Sequence, residues 1–326
     1  MLDVRKLHLL RELAYRGTIA AVADALSYTP SAVSQQLAAL ERDAGVPLLR
    51  RTGRRVALTS AGAALAAQTE AILALLEEAA AGLAAARTGL TGPLRIGAFQ
   101  TAVRTILPAA LVALGRDHPG LELMVTELDP AAVPDALRSG ALDVALVHEY
   151  DFVPAEPDPA LETEPLLEEA IYLASPAPGG TAGNPEATES REPAETGDPT
   201  ETGEPAEAAG DPICRHREAP WIVASPGTLC HVMAVRACQA AGFTPRIRHH
   251  ADDFATVLAL VAAGQGVALV PELGVMGPPP GVALTPLPTR RRTRIACRNG
   301  ARCQPPVSAC IEAIHAAARV LPVGRG

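Results

Sequence analysis

The sequence lacks any apolar run approaching the roughly 18 residues a membrane span needs, which excludes a helical membrane protein. Its first twenty residues hold Asp3, Arg5, Lys6, Arg11, Glu12 and Arg16 where a signal peptide would place an apolar core, so the expected location is the cytoplasm. Aromatics are scarce, with four Phe, four Tyr and one Trp, too few for the stacking platforms of a single-stranded nucleic-acid binder. Six cysteines in 326 residues are too sparse for a disulfide scaffold, and a reducing compartment keeps them as thiols. Lysine is nearly absent, one against 27 arginines, a bias of codon usage more than of physics. Missing too are the Gly-x-Ser-x-Gly elbow, the P-loop and the His-Glu-x-x-His helix, and Gly264-Gln-Gly266 has none of the rest of a dinucleotide fingerprint. No catalytic residue is assigned, and the chain is not expected to be an enzyme.

What is present is unevenly spread. The formal net charge is -8, from 28 basic and 36 acidic residues. Residues 176–212 alone carry nine acids and one base, a net of -8, so the other 289 residues are neutral with 27 of each sign. In that segment eight acids fall every third residue from Glu186 to Glu207, among seven prolines and six glycines. With no apolar stripe to bury, this acidic Pro/Glu-rich insert is expected to stay without fixed structure. Residues 1–60 hold nine bases and five acids, and a local +4 suits a DNA partner.

Apolar residues recur at helical period from Leu7, again over Thr18–Leu26, and again from Pro30 to about Arg42. Thr29 followed by Pro30 is a helix start, since Thr caps free backbone donors and Pro is pre-set for the first turn. Two short helices joined by a very short turn predict a helix-turn-helix with Val22, Ala23, Leu26, Val33, Leu37 and Leu40 as its core. Arg50, Arg51, Arg54 and Arg55 around Gly53, then Val56 and Leu58, predict a two-stranded wing with a basic tip. From Ser60 to about Thr88 an Ala-rich stretch carries Leu65, Ile72, Leu75, Leu76 and Leu83 on one side, a stripe that needs a partner helix. Beyond Pro93 strands alternate with helices, as in a mostly parallel sheet with ligands at strand carboxyl ends. The expected order is strand 94–98, helix 102–115, strands 121–127 and 142–147, then, past the insert, helices 228–241 and 253–263. Separate strands at 283–287 and 293–298 and a helix from about 305 to 320 close the chain.

Several linked segments resemble the LysR-type transcriptional regulators. They are Leu7-His-Leu-Leu-Arg-Glu-Leu-Ala14, Thr29-Pro-Ser-Ala-Val-Ser-Gln-Gln-Leu37, Gly45-Val-Pro-Leu-Leu49 and Leu58-Thr-Ser-Ala-Gly62, with Ser139-Gly-Ala-Leu-Asp-Val-Ala-Leu146 and Val261-Ala-Ala-Gly-Gln-Gly-Val-Ala-Leu-Val-Pro271 downstream. The resemblance implies a winged helix-turn-helix over 1–59, a linker and dimerisation helix over 60–90, and a two-subdomain α/β effector domain of periplasmic-binding-protein type over 91–326. Subdomain I is expected at about 91–165 and 271–326, and subdomain II at about 166–270. Double-stranded DNA and a second copy of the chain are the implied partners, with a homotetramer and RNA polymerase left open.

For DNA the candidate residues are Thr29, Pro30, Ser31, Ser34 and Gln35, small or amide polar groups suited to a major groove, and Arg50, Arg51, Arg54 and Arg55 for phosphates or minor groove. For a small-molecule effector they are Gln100, Thr101, His148, Glu149, Ser225, Thr228 and Pro271, at strand ends and helix starts that a cleft would gather. No other cofactor is implied. The competing reading is a redox- or metal-responsive regulator using Cys230 and Cys238, or Cys297, Cys303, Cys310 and His315. None of these has the tight spacing of structural zinc, so no metal ligand is assigned.

Overall fold

A computed structural model describes residues 1–52, 55–85, 90–177 and 211–323, without the side chains of residues 51, 52, 55, 84 and 85. Two compact units divide the chain. The first takes Met1–Val147, Glu156–Leu166 and Arg294–Leu321, the second His148–Ala155, Leu167–Thr293 and Pro322–Gly326.

The first unit opens with three capped helices. Helix α1 (Val4–Arg16) starts where Asp3 accepts from the Arg5 amide and stops at Gly17, whose φ of 72° closes the last turn. Helix α2 (Ile19–Leu26) is capped by Thr18 and ends at Ser27, a non-glycine residue in the left-handed region at φ 56°. Helix α3 (Pro30–Ala44) starts on Thr29, whose hydroxyl accepts from the Ala32 amide, and ends at Gly45. Five of the six expected core residues, Val22, Ala23, Val33, Leu37 and Leu40, are buried, and Leu26 packs against them half-buried. Lys6 braces α1 to α3 through a 2.6 Å ion pair with Asp43. Strands β1 (Leu49–Thr52) and β2 (Arg55–Leu58) pair antiparallel as the wing, Leu49 opposite Leu58. Glu41 ties α3 to the wing by accepting from the Leu48 and Leu49 amides, both at 2.9 Å.

Helix α4 (Ser60–Ala85) runs on from the wing. Gly62 is required there, since a Cβ would fall 2.1 Å from the Leu48 carbonyl oxygen. The first half of α4 buries Ala66 and Thr69 and half-buries Leu65 and Ile72 against the head, while Leu75 and Leu83 are 64% and 76% exposed.

Strand β3 (Gly92–Ala98) then lies between β4 (Leu121–Glu127) and β5 (Val144–Tyr150), parallel to both. The expected helix over 102–115 is two helices, α5 (Gln100–Thr105) and α6 (Leu107–Asp117). The break falls beside Pro108, which has no N–H to continue the ladder. Helix α7 (Val133–Arg138) follows a short 3-10 turn and packs Val133 and Leu137 with Leu142, Ala145 and Ala296. The chain leaves and re-enters this unit along strands β5, β6 (Leu161–Pro176) and β10 (Val282–Arg298).

In the second unit β6 pairs antiparallel with β9 (Ala268–Pro271), and β7 (Pro220–Val223) pairs parallel with β8 (Arg246–His250). Helix α8 (Leu229–Ala240) packs Met233 with Trp221, Ile171 and Leu173, and α9 (Phe254–Ala262) packs Val257, Leu258 and Val261 with Ala174, Ile222 and Val270. Helix α10 (Pro305–Arg319) returns the chain to the first unit, against α6. A further expectation is corrected at the end of the chain. The strands at 283–287 and 293–298 are one strand, β10, because Thr289, Arg291 and Thr293 alternate inward and continue the strand with polar side chains that hydrophobic period overlooks. Residues 271–293 and His148–Ala155 fall in the second compact unit. The insert at 176–212 falls almost wholly outside the described residues, as do residues 86–89 of the expected long helix.

Candidate DNA-reading face and effector-region residues

Residues at i, i+3 and i+4 share a helix face, so Ser31, Ser34 and Gln35 form one polar surface of α3 opposite buried Val33, Leu37 and Leu40. Thr29, Pro30, Ser31, Ser34 and Gln35 are all exposed. The Thr29 oxygen is committed to capping α3 and lies 3.4 Å from the Ser31 hydroxyl. Tyr28, half exposed in the turn before α3, sits at the same end of the helix and is not among the residues the sequence singles out. A lone aromatic between two capped helices was the available signal. On the wing Arg50 is exposed, with Nε donating to the Leu58 carbonyl at 3.4 Å. The side chains of Arg51 and Arg55, and all of Arg54, lie outside the described residues.

The effector-region residues fall in both units. In the first, Gln100 begins α5 and Thr101 follows it buried. The Gln100 Oε1 is buried with no hydrogen-bond partner among the described residues. Helix α5 has only six residues, so the long helix start expected at this loop is absent.

In the second unit most candidates are occupied by local structure. Ser225 donates its amide and hydroxyl to Asp252 at 2.7 and 2.8 Å. Thr228 caps α8, accepting from the His231 amide and donating to the Ser225 carbonyl. Glu149 accepts from the Ala155 amide at 3.0 Å, and Pro271 ends β9. His148 alternates with Glu149 on β5 and is buried, its ring edge-on to Tyr150 at 5.0 Å. Burial, and then the nearby Arg291 charge, hold His148 well below the usual histidine range.

A buried polar network that sequence reasoning misses stands beside His148. Arg291 donates through Nε to Glu169 at 2.7 Å, and the other Glu169 oxygen accepts from the Leu273 amide at 2.7 Å. The Tyr150 hydroxyl lies 3.3 Å from Cys230 Sγ in the first turn of α8. Burial pushes the Tyr150 phenol well above its ordinary value. Hence His148, Tyr150, Cys230 and Arg291 gather on one side of β5, with Thr228 capping the helix that carries Cys230, whereas Glu149 faces away. The signal was present in the arginine-rich run 290–294, which reads as basic surface until its strand period is recognised.

The other cysteines are dispersed. Cys238, Cys297 and Cys310 are buried and their thiols are pushed up to about 12, in each case chiefly by burial. Cys303 is exposed, and His315 pairs with Glu164 at 2.6 Å. Among the described residues no group of three or more His, Cys, Asp or Glu could hold a metal ion, and no helix is long and apolar enough to cross a membrane.

Comparison with known proteins gives two family matches. Residues 4–63 match the model described as bacterial regulatory helix-turn-helix protein, lysR family, and residues 87–187 with 205–319 match the LysR substrate binding domain. A protein of Mycobacterium avium, described as "Probable hydrogen peroxide-inducible genes activator", is 32% identical over 81% of this chain and 76% of its own length. One of Streptomyces viridosporus with the same description is 31% identical over 92% of this chain and 89% of its own. Among solved structures, a full-length OxyR variant from Pseudomonas aeruginosa superposes with a TM-score of 0.56 at 22% identity, covering 99% of this chain and 96% of that one.

Proposed function

The chain belongs to the LysR family, DNA-binding transcriptional regulators with an effector-binding domain, and from that premise we propose which of its residues read DNA and which answer the effector. Thr29, Pro30, Ser31, Ser34 and Gln35 lie in the major groove, and Arg50, Arg51, Arg54 and Arg55 hold phosphates or the minor groove beside it. The observation that carries this reading is the exposed polar face of α3 set against its apolar one. A glutamine amide can pair with adenine at two points, and losing such a pair costs about 1–3 kcal/mol of discrimination. Gln35→Ala is expected to lower affinity for the operator roughly tenfold and leave affinity for random duplex unchanged. Gel-shift titration on the DNA upstream of the chain's own gene measures both, and equal losses on the two DNAs would remove Gln35 from the reading set.

For the effector, Gln100 and Thr101 are assigned in the first unit taken by itself, and His148, Glu149, Ser225, Thr228 and Pro271 are the candidates of the second. The buried, unpartnered Gln100 oxygen supports a ligand donor there, because such a group goes unsatisfied only at a cost. Effector binding shifts the balance between two quaternary arrangements that space the reading heads differently, which requires the ligand to prefer one of them. The two copies join along residues 60–88. Gln100→Leu is expected to abolish the effector-dependent change in a DNase footprint while preserving the footprint itself; an unaltered response sinks the assignment.

A thiol-based response is the second reading, supported by the place of Cys230 in the first turn of α8, 3.3 Å from Tyr150 and facing the Arg291 charge. Two relatives carry peroxide-inducible descriptions. Its partner would not be Cys238, which lies eight residues along the same helix, about 12 Å away at 1.5 Å per residue. Treating wild-type protein and Cys230→Ser with peroxide separates the readings, since only a thiol sensor loses its footprint change with Cys230.

A further inference from the structure

The turn between α2 and α3 is fixed from both sides. Ser27 takes the left-handed conformation at φ 56°, and across it the Tyr28 amide donates to the Ala23 carbonyl at 2.9 Å, the long bond that closes a helix end. Among the described residues Ser27 is the only one other than glycine with a positive φ; Gly17 and Gly45 hold the matching place after α1 and α3. The residue after Tyr28 is Thr29, already the cap of α3. Tyr28 therefore has its backbone set by two helices at once.

Its side chain is only partly used by that turn. A residue ahead of a cap commonly packs on the fourth residue of the helix, here Val33, and one just past a helix end packs on the turn behind it, here around Ala23. With both roles open to it, Tyr28 remains 50% exposed. Beside it stand short polar side chains, Thr29 and Ser31, exposed and with their oxygens 3.4 Å apart. A single exposed aromatic carries no meaning on an ordinary surface. This one stands at the N-terminal end of α3, the end whose residues meet base edges when a helix-turn-helix docks. A pre-set backbone and only two side-chain torsions leave little entropy to lose on contact.

We propose that Tyr28 is a specificity-determining residue, its ring covering the methyl group of a thymine at the edge of the half-site read by α3. The inference rests on α3 as the reading helix. Ser31, Ser34 and Gln35 offer hydrogen bonds to base edges, and Tyr28 adds a broad apolar surface. In the major groove the apolar mark on a base edge is the thymine C5-methyl.

The test uses the full chain and the duplex it protects upstream of its own gene. Each thymine of a half-site is replaced in turn by deoxyuridine, which removes one methyl group and no hydrogen bond. Fluorescence anisotropy is expected to show wild-type affinity falling roughly fourfold at one position, the worth of one buried methyl. Tyr28→Ala loses the same factor on the unmodified duplex and no longer tells thymine from deoxyuridine there, whereas Tyr28→Phe keeps the ring and behaves as wild type. A flat deoxyuridine series in the wild type, a Tyr28→Ala chain that still senses the same thymine, or a Tyr28→Phe chain that does not, would each overturn the proposal. The wild-type series is independent of how any variant folds. Gln35→Ala is read on the same duplexes: equal losses on operator and random DNA, with the thymine dependence of Tyr28 intact, would remove Gln35 from the reading set and leave Tyr28 in it.

Discussion

Arg291 and Glu169 are 1% and 0% exposed and face each other at 2.7 Å, so neither charge can be removed alone without stranding the other in low dielectric. Arg291→Met and Glu169→Leu are each expected to destabilise the chain by about 3–5 kcal/mol, and the double substitution by less than either. Urea unfolding of the four proteins closes the cycle, and simple additivity would show that the pair is not coupled. His148 beside them titrates in the same surroundings. Its folded-state pKa is depressed, so between that value and about 6.5 the unfolded chain binds more protons, and stability present above pH 6.5 is lost as the pH falls. Burial likewise lowers His8, His216 and His315, and the four together should give a falling unfolding midpoint from pH 7 to pH 5. His148→Gln is expected to flatten that slope more than substitution of the less buried His315, as thermal melts across the range would record. Ser27 is a smaller case. Its left-handed backbone suits glycine, and Ser27→Gly should stabilise the head by about 0.5–1 kcal/mol in the same assay.

Helix starts and stops in the reading head were legible because each has a local chemical cause: Thr18 and Thr29 at the starts, Pro30 in a first turn, Gly17 and Gly45 at the ends. The polar face of α3 was legible for the same reason, since period 3.6 separates it from Val33 and Leu37. The effector half was less so. Hydrophobic period alone ran α5 and α6 together and cut β10 in two, because Pro108 interrupts an apolar stripe without changing it, while Thr289, Arg291 and Thr293 keep a strand's alternation with polar side chains. Hydroxyls such as those of Thr228 and Ser225 can serve a cap or a ligand, and here they donate to the Ser225 carbonyl and to Asp252. Helix α4 was read as needing a mate, and Leu75 and Leu83 do stand exposed. Leu75→Glu with Leu83→Glu is expected to leave helicity unchanged and shift the protein to monomers in sedimentation equilibrium; a dimer that survives would place the interface elsewhere.

For the whole molecule, net charge is a poor guide to partners. A chain of -8 with a basic head is expected to bind DNA with strong salt dependence, because affinity answers to the phosphates neutralised locally. Replacing Arg50, Arg51, Arg54 and Arg55 with Gln should reduce the slope of log affinity against log salt by about 0.9 for each phosphate no longer neutralised. An unchanged slope would assign the phosphates to other residues. The scarcity of lysine bears on the molecule in another way. Lys6 is the single lysine of the chain, and its ammonium forms the strut between α1 and α3 with Asp43. Side-chain amine chemistry, whether acetyl transfer in a cell or coupling of a fluorophore at the bench, therefore has one address on this molecule, and it lies within the DNA-reading head.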